Sequence, residues 1–266
     1  MLVTLAPVVK VRLVQIESND SEPVEARIAH IVAGLPEHAA AADVVVLPEL
    51  WHIGAFNLAA VSGAAQTVDG PLVTALANVA RTTATWIHGG SIAIADSDGK
   101  ARNVAFLFGP DGAIRATYGK RHLFGFADGE RTVMNAGDEF VVVDTPLGRT
   151  GLATCYDLRF PEMYRELLDR GAQTFLMCSG WPTPRISHWE VLTQARAIEN
   201  QAFVIACNGR GTAGGVTLGG CSVVVSPKGD IIAQASATDE FIDAEIDVTL
   251  VDEWRTAFPV LEDRRR

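Results

Sequence analysis

Short apolar runs alternate with amphipathic stretches along most of the chain, and their periods change from two residues to the helical spacing and back. Lys10 to Ile16 alternates apolar with polar positions, which predicts a first strand. Glu22 to Ala42 is Ala-rich and mostly helical in pattern, and Gly34-Leu35-Pro36 is expected to kink or interrupt that helix. Val44 to Leu47 is a short apolar strand ended by Pro48-Glu49. Pro71 to Thr83 is a second helix and Trp86 to Ala95 the next strand. Asn103 to Phe108 and Ala113 to Tyr118 flank Gly109-Pro110-Asp111-Gly112, a hairpin turn. Phe140 to Asp144 and Thr150 to Thr154 flank Pro146-Leu147-Gly148 in the same way. Pro161 to Arg170 is a helix stopped by Gly171. Phe175 to Cys178 is a strand, Ser187 to Gln201 a helix and Phe203 to Cys207 a strand. Cys221 to Val225 and Ile231 to Ala235 form a hairpin across Ser226-Pro227-Lys228-Gly229. Phe241 to Ile246 is the last strand, followed by a helix near Leu250 to Phe258.

Two segments echo one another. Phe106-Leu107-Phe108-Gly109-Pro110-Asp111-Gly112-Ala113-Ile114 resembles Val223-Val224-Val225-Ser226-Pro227-Lys228-Gly229-Asp230-Ile231, each a strand, a Pro-x-Gly turn and a strand. The echo hints at two similar halves. Strand–helix units mixed with hairpins predict an α/β fold of two mixed sheets packed together, with helices outside. No linker or low-complexity segment divides the chain. Residues 1–266 are therefore expected to form one domain, with a core of about 10–248 and a C-terminal helix and tail over 249–266.

Composition narrows the function classes. With 266 residues, 48% hydrophobic and 20% charged, the chain can bury a large core. The formal net charge is -10 and no basic stripe occurs, which argues against nucleic acid as a partner. No apolar stretch approaches the ~18 residues of a membrane span. The N-terminus lacks the charged-then-apolar layout of a signal segment. Of the four cysteines none forms C-x-x-C or a zinc-like cluster with His. Cys178 and Cys207 lie inside apolar runs and read as small buried hydrophobes. A reduced, cytoplasmic protein is the simplest account.

Cys155 stands apart. It follows the apolar run Thr150 to Thr154 and precedes Tyr156-Asp157-Leu158-Arg159-Phe160-Pro161, where Pro161 suits the first turn of a helix. The thiol is thus predicted on an elbow at the carboxyl end of a strand, where ligands gather in α/β proteins. A cysteine nucleophile needs a base, a group that stabilises the developing oxyanion, and a pocket. Glu49 ends one predicted strand, and Lys120 follows another in Tyr118-Gly119-Lys120-Arg121-His122-Leu123-Phe124. Taken singly, each has an ordinary structural reading. All three at strand ends in one chain make a candidate site.

Leu47-Pro48-Glu49-Leu50, Gly119-Lys120-Arg121-His122-Leu123-Phe124 and Thr154-Cys155-Tyr156-Asp157-Leu158-Arg159-Phe160-Pro161-Glu162 resemble the three signature blocks of the nitrilase superfamily, the carbon–nitrogen hydrolases, in the family's order. His188-Trp189-Glu190, Gln194 to Gln201 and Ser222 to Gly229 add to the likeness, which extends roughly from Val11 to the C-terminus. The resemblance implies a four-layer α-β-β-α sandwich of two mixed sheets, assembled into homodimers or higher homo-oligomers. It implies Glu49 as general base, Lys120 as oxyanion stabiliser and Cys155 as nucleophile, with no metal or cofactor. Gly137-Asp138-Glu139-Phe140 matches a further family segment, and Glu130 before it is the best match for a second glutamate that positions Lys120 and the substrate amide. Lys120 is expected to lower the thiol pKa while Glu49 accepts the proton. The backbone N–H of Tyr156 is expected to share the oxyanion with Lys120.

The partner this implies is a small-molecule amide. The run Cys-Tyr-Asp-x-Arg-Phe-Pro-Glu, with Trp181-Pro182 and His188-Trp189, resembles amidases acting on ω-amides of small 2-oxo acids such as 2-oxoglutaramate. Trp181 is expected to wall the pocket. Arg185, ahead of Arg159 and Arg210, is the candidate to grip a substrate carboxylate. Aliphatic nitrile hydrolysis, N-carbamoyl amide hydrolysis and a non-catalytic thiol sensor or binding module stay open as alternatives. His122 could instead pair with Cys155 as in papain, although the papain-type signature around the cysteine is absent. Gly209-Arg210-Gly211-Thr212-Ala213-Gly214 spells a dinucleotide-binding pattern, but such a site needs a helix to start there. The surrounding glycines predict a flexible loop.

Overall fold

The computed structural model describes residues 8–265. Its elements are, in chain order, β1 (Val8–Val14), β2 (Glu17–Ser18), α1 (Val24–Ala39), β3 (Val44–Val46), α2 (Val61–Ala64), α3 (Pro71–Thr83), β4 (Trp86–Ala95), β5 (Ala101–Phe108), β6 (Ile114–Gly119), β7 (Met134–Asn135), β8 (Val142–Thr145) and β9 (Gly148–Thr154). There follow α4 (Pro161–Asp169), β10 (Thr174–Ser179), α5 (Ile186–Asn200), β11 (Phe203–Asn208), β12 (Arg210–Ala213), β13 (Val216–Gly219), β14 (Val223–Val225), β15 (Ile231–Gln234), β16 (Phe241–Asp247) and α6 (Leu250–Ala257).

Two large sheets share one plan. The first runs β16-β1-β3-β4-β5-β6, with the short β7 beside β5, and the second runs β15-β14-β11-β10-β9-β8. In each, three consecutive strands are parallel: β1, β3 and β4 in one, β9, β10 and β11 in the other. An antiparallel strand flanks one side, β16 or β8. An antiparallel hairpin flanks the other, β5-β6 or β14-β15. Those hairpins are the two echoed segments, and the pairing shifts register at Leu107/Phe108 in one and at Val224/Val225 in the other. The echo thus marks equivalent positions in two similar halves.

The alternation of apolar residues decides the layers. On β3, Val45 joins Leu35 of α1 and Leu72 and Leu76 of α3, whereas Val44 and Val46 join the core shared with the second sheet. On the second sheet, Phe175 of β10 meets Tyr164 of α4 edge-on, with ring centroids 4.9 Å apart. Between the sheets, Cys207 Sγ reaches Val14 O at 3.3 Å. The result is an α-β-β-α sandwich. No helix among the described residues is long and apolar enough to cross a membrane.

Two expectations are corrected. The helix α1 continues through Pro36 to Ala39. Pro36 is solvent-exposed, and the buried Leu35 and Ala39 pin the last turn to the core, which outweighs one missing N–H bond. The Gly-rich segment after Asn208 is a β-hairpin of β12 and β13, which pairs through β12 with β2 in a third small sheet. Asp20 carboxylate oxygens accept from Gly214 N and Gly215 N at its tip, 2.7 and 2.8 Å away.

Candidate active site

Glu49 emerges from β3 into a turn that the neighbouring strand cradles. Leu50 adopts a left-handed φ of 44°, and its N–H donates to Ser91 Oγ at 3.0 Å. Ser91 N in turn donates to Pro48 O at 3.3 Å. The cradle depends on a glycine: a Cβ at Gly90 would stand 2.0 Å from Pro48 O. Lys120 leaves β6 and is held at its own backbone by Asn103 O, which accepts from Lys120 N at 2.9 Å.

The side chains converge. Lys120 Nζ donates to Glu49 Oε1 at 2.7 Å and to Glu130 Oε1 at 2.8 Å. Glu49 Oε1 also accepts from Asn103 Nδ2 at 2.8 Å, and its Oε2 from Gly180 N at 2.9 Å. Glu130 Oε2 accepts from Phe124 N at 2.7 Å. Burial disfavours charge on Lys120, but Glu130 and then Glu49 more than offset it and hold the ammonium well above its ordinary pKa. Burial is also the main reason that Glu130 titrates above the usual carboxylate range, with Lys120 pulling the other way.

Cys155 follows β9 at a left-handed φ of 48° and opens a short 3-10 turn to Arg159. The turn is closed by a reciprocal cap between Thr154 and Asp157. Burial, then the Glu49 carboxylate, pushes the thiol pKa well up, while Lys120 and the Ser179 hydroxyl counter only in part. Lys120 thus lowers the thiol pKa as expected, but burial and Glu49 outweigh it. The group at rest is a neutral thiol facing a carboxylate, an arrangement suited to proton transfer at the moment of attack rather than beforehand.

Glu49, Lys120, Glu130 and Cys155 line one cavity of about 230 Å³, with Phe56 and Phe124 among its walls. The other three sequence-selected residues, Tyr156, Trp181 and Arg185, line an adjoining recess that shares Cys155, Phe56 and Phe124 with the first. Arg159 lies there too, its guanidinium 4.7 Å from the Trp181 ring centre. The Arg185 guanidinium stands 5.3 Å from the Phe124 ring centre. No ion pair to a described carboxylate ties either of them, and burial followed by the neighbouring Arg185 charge draws the Arg159 pKa down. Trp181 is itself buried and donates its indole N–H to Arg185 O at 2.7 Å. Arg210 lies elsewhere, paired with Glu17 at 2.9 Å.

The sequence profile of the carbon-nitrogen hydrolases matches residues 10–256. The chain belongs to the carbon–nitrogen hydrolase family. Among curated carbon–nitrogen hydrolases it is 42% identical over 262 residues to the 2-oxoglutaramate amidase of Paenarthrobacter nicotinovorans, covering 96% of this chain and 89% of that protein. It is 34% identical over 225 residues to the 2-oxoglutaramate amidase of Bacillus subtilis, covering 85% and 86% of the two chains. Among solved structures, a CN-hydrolase superfamily protein of Xanthomonas campestris superimposes with a TM-score of 0.87 at 30% identity, covering 97% of this chain and 98% of that one.

In this carbon–nitrogen hydrolase the rival readings of two motifs are replaced by specific structure. His122 Nδ1 lies 2.7 Å from Asp157 Oδ1, its ring stacks on Phe160 at 3.9 Å, and it lines neither cavity at Cys155. At Gly214 a hairpin turns and no helix begins. Sequence reasoning passed over Asn103, Gly180, Phe56 and Phe124. Asn103 carried a signal, a polar residue directly before the apolar run Val104 to Phe108. Gly180 carried none, because its role is a backbone N–H.

Proposed function

We propose that this enzyme is an ω-amidase that hydrolyses the terminal amide of small 2-oxo dicarboxylic acid monoamides, such as 2-oxoglutaramate, and releases ammonia. The observation that carries the reading is the position of Cys155 between two chambers. One holds a lysine between two carboxylates. The other holds two arginines, Arg159 and Arg185. An amide carbonyl at Cys155 with its carboxylate towards the arginines fits a short dicarboxylic monoamide. The names of the two bacterial relatives support the same substrate class.

The reaction follows from the charges. Cys155 Sγ attacks the amide carbon as Glu49 takes its proton. The oxyanion is met by Lys120 Nζ and the Tyr156 backbone N–H. Glu49, now a carboxylic acid, protonates the leaving nitrogen, and ammonia departs from a thioester. Water attacks the thioester as Glu49 takes its proton, and that proton returns to the sulfur as the acid leaves. Glu130 keeps Lys120 aimed. Each step uses groups supplied by the chain, and the machinery draws on both sheets, so residues 1–266 are read as one functional domain.

Two coarser readings accompany this one. All four cysteines are free, in keeping with a reducing cytoplasm. Val191 and Ile198, seven apart on α5, are solvent-exposed on the outer helix layer and suit a homodimer contact. Light scattering tests the latter.

The deciding experiment measures ammonia release from 2-oxoglutaramate, 2-oxosuccinamate, glutamine, aliphatic amides and nitriles, with Cys155→Ala as control. The 2-oxo monoamides are expected to be the best substrates. Turnover of a nitrile without turnover of the matching amide, or retained hydrolysis by Cys155→Ala, would overturn the reading.

A further inference from the structure

Lys120 and Cys155 belong to different sheets. Lys120 follows β6, at the edge of the first, and Cys155 follows β9, inside the second. Their relative position therefore depends on whatever ties the two chain segments together beside the cavity. One fully buried carboxylate, Asp157, makes that tie. Its Oδ1 accepts from His122 N at 3.1 Å and lies 2.7 Å from His122 Nδ1. Its Oδ2 accepts from Tyr118 OH at 2.7 Å and from Thr154 N at 2.9 Å.

The placement of these four bonds is specific. Tyr118 and His122 are the residues two before and two after Lys120. Asp157 is two after Cys155, and Thr154 is one before it. One carboxylate oxygen thus holds the lysine arm on its far side. The other holds it on its near side and closes the turn that carries the thiol. His122 adds a second tie, since its ring stacks on Phe160 at the end of the same turn. The Tyr118 hydroxyl is kept as a donor: burial, then the Asp157 charge, raises its pKa well above the ordinary value. The turn needs such holding because Cys155 sits at a left-handed φ that a non-glycine residue adopts only under constraint.

Asp157 lines neither chamber at Cys155. We propose that Asp157 is a positioning residue of the hydrolytic reaction, a carboxylate clamp that sets the distance of Lys120 from Cys155 by gripping Tyr118, His122 and Thr154 together. The inference rests on the nucleophilic role of Cys155 and the oxyanion role of Lys120. A small error in that distance weakens both oxyanion stabilisation and thiolate formation, while the chambers that bind substrate keep their walls.

Two variants test it. Asp157→Asn keeps the shape but replaces one acceptor oxygen with a donor. Tyr118→Phe removes one hydrogen bond to the clamp without changing its charge. For Asp157→Asn, kcat is expected to fall about 100-fold, the scale of an ångström misplacement at a reacting centre, with KM within about threefold of the parent. For Tyr118→Phe the loss is expected to be about tenfold, the equivalent of one hydrogen bond to a charged group. In both, the rate at which iodoacetamide alkylates Cys155 at fixed pH should fall, read by intact mass on protein that shows the parent's circular dichroism. Should Asp157→Asn fail to fold, Tyr118→Phe decides alone. Parental kcat and parental alkylation in folded Tyr118→Phe would overturn the clamp. So would a rise in KM with kcat unchanged. Failure of the underlying site reading looks different: Cys155→Ala would stay active.

Discussion

Lys120 Nζ lies 2.7 Å from Glu49 Oε1, and both side chains are almost wholly removed from solvent. With Glu130 on the other side of the ammonium, the cluster holds two carboxylates against one cation. The uncompensated charge is met by neutral donors: Asn103 Nδ2, Gly180 N and Phe124 N. Such a cluster is costly to assemble and more costly to break from one side, since the remaining charges stay buried. Lys120→Met is therefore expected to destabilise the fold by about 3–5 kcal/mol as well as to abolish turnover. Glu130→Gln, which keeps an acceptor for Lys120, should cost less stability and leave measurable activity. Urea unfolding and ammonia assays check both, and equal stability for parent and Lys120→Met would contradict the argument.

The resting state of the thiol gives a second expectation. Burial and the Glu49 carboxylate hold the Cys155 pKa well above that of a free cysteine. The thiolate fraction is then small at neutral pH, and alkylation in the absence of substrate should climb steadily as pH rises through the alkaline range. Glu49→Gln removes a negative charge beside the sulfur, so its thiol should titrate at lower pH than the parent's while hydrolysis is lost for want of a base. A parental alkylation profile that has already reached its plateau at pH 7 would show that Lys120 prevails over burial.

The arginine recess is expected to set selectivity. Arg159 and Arg185 stand over the rings of Trp181 and Phe124, free of any ion pair to a described carboxylate. Replacing either with Met should raise KM for 2-oxoglutaramate roughly tenfold or more, the scale of one charge-assisted contact. A neutral amide such as butyramide should be hydrolysed as before. Equal losses on charged and neutral amides would mean that these arginines support the pocket rather than recognise the carboxylate.

Two buried histidines make the fold acid-sensitive. Burial lowers the pKa of His52 to about 3 and that of His88 to about 4. The unfolded chain binds these protons near 6.5, so the neutral rings contribute stability that is complete above that pH and is lost as pH falls below it. Two such groups amount to about 3 kcal/mol between pH 6.5 and pH 5. Glu130, whose pKa is raised, works in the opposite sense but is one group. The thermal midpoint should therefore drop clearly between pH 7 and pH 5, and a level profile across that window would count against the two rings being buried as neutral groups.

Gly180 offers a backbone test. A Cβ there would stand 2.2 Å from Ala55 Cβ and 3.5 Å from Glu49 Oε2. Gly180→Ala must push apart the β10 end and the loop that walls the cavity, at about 1–3 kcal/mol. It should also loosen the N–H that holds Glu49, so kcat is expected to fall in protein that still folds. A crystal structure of the variant with Glu49 unmoved and full activity would refute this role.

Most of the strands and helices could be read along the chain, because alternation, helical spacing and turn residues act over a few neighbours. The same holds for the elbow at Cys155 and for the strand ends at Glu49 and Lys120, and the echoed hairpins announced two similar halves. The path of α1 through Pro36 was not legible, since the packing of Leu35 and Ala39 on a distant sheet decided it. The hairpin at Gly214 was hidden for a related reason: Asp20 caps it from 194 residues away.

Within the site, the residue types that can do the chemistry were determined by the sequence alone. Their environment was not. Glu49 is held by Asn103, 54 residues on, and by the N–H of Gly180, 131 residues on. Asp157 grips the lysine arm across 35 and 39 residues. Only the packing of the two sheets brings these partners within hydrogen-bonding distance, and only burial there raises the Cys155 pKa despite the lysine beside it. Electrostatics and hydrogen bonding depend on distance in space, which no local pattern along the chain encodes.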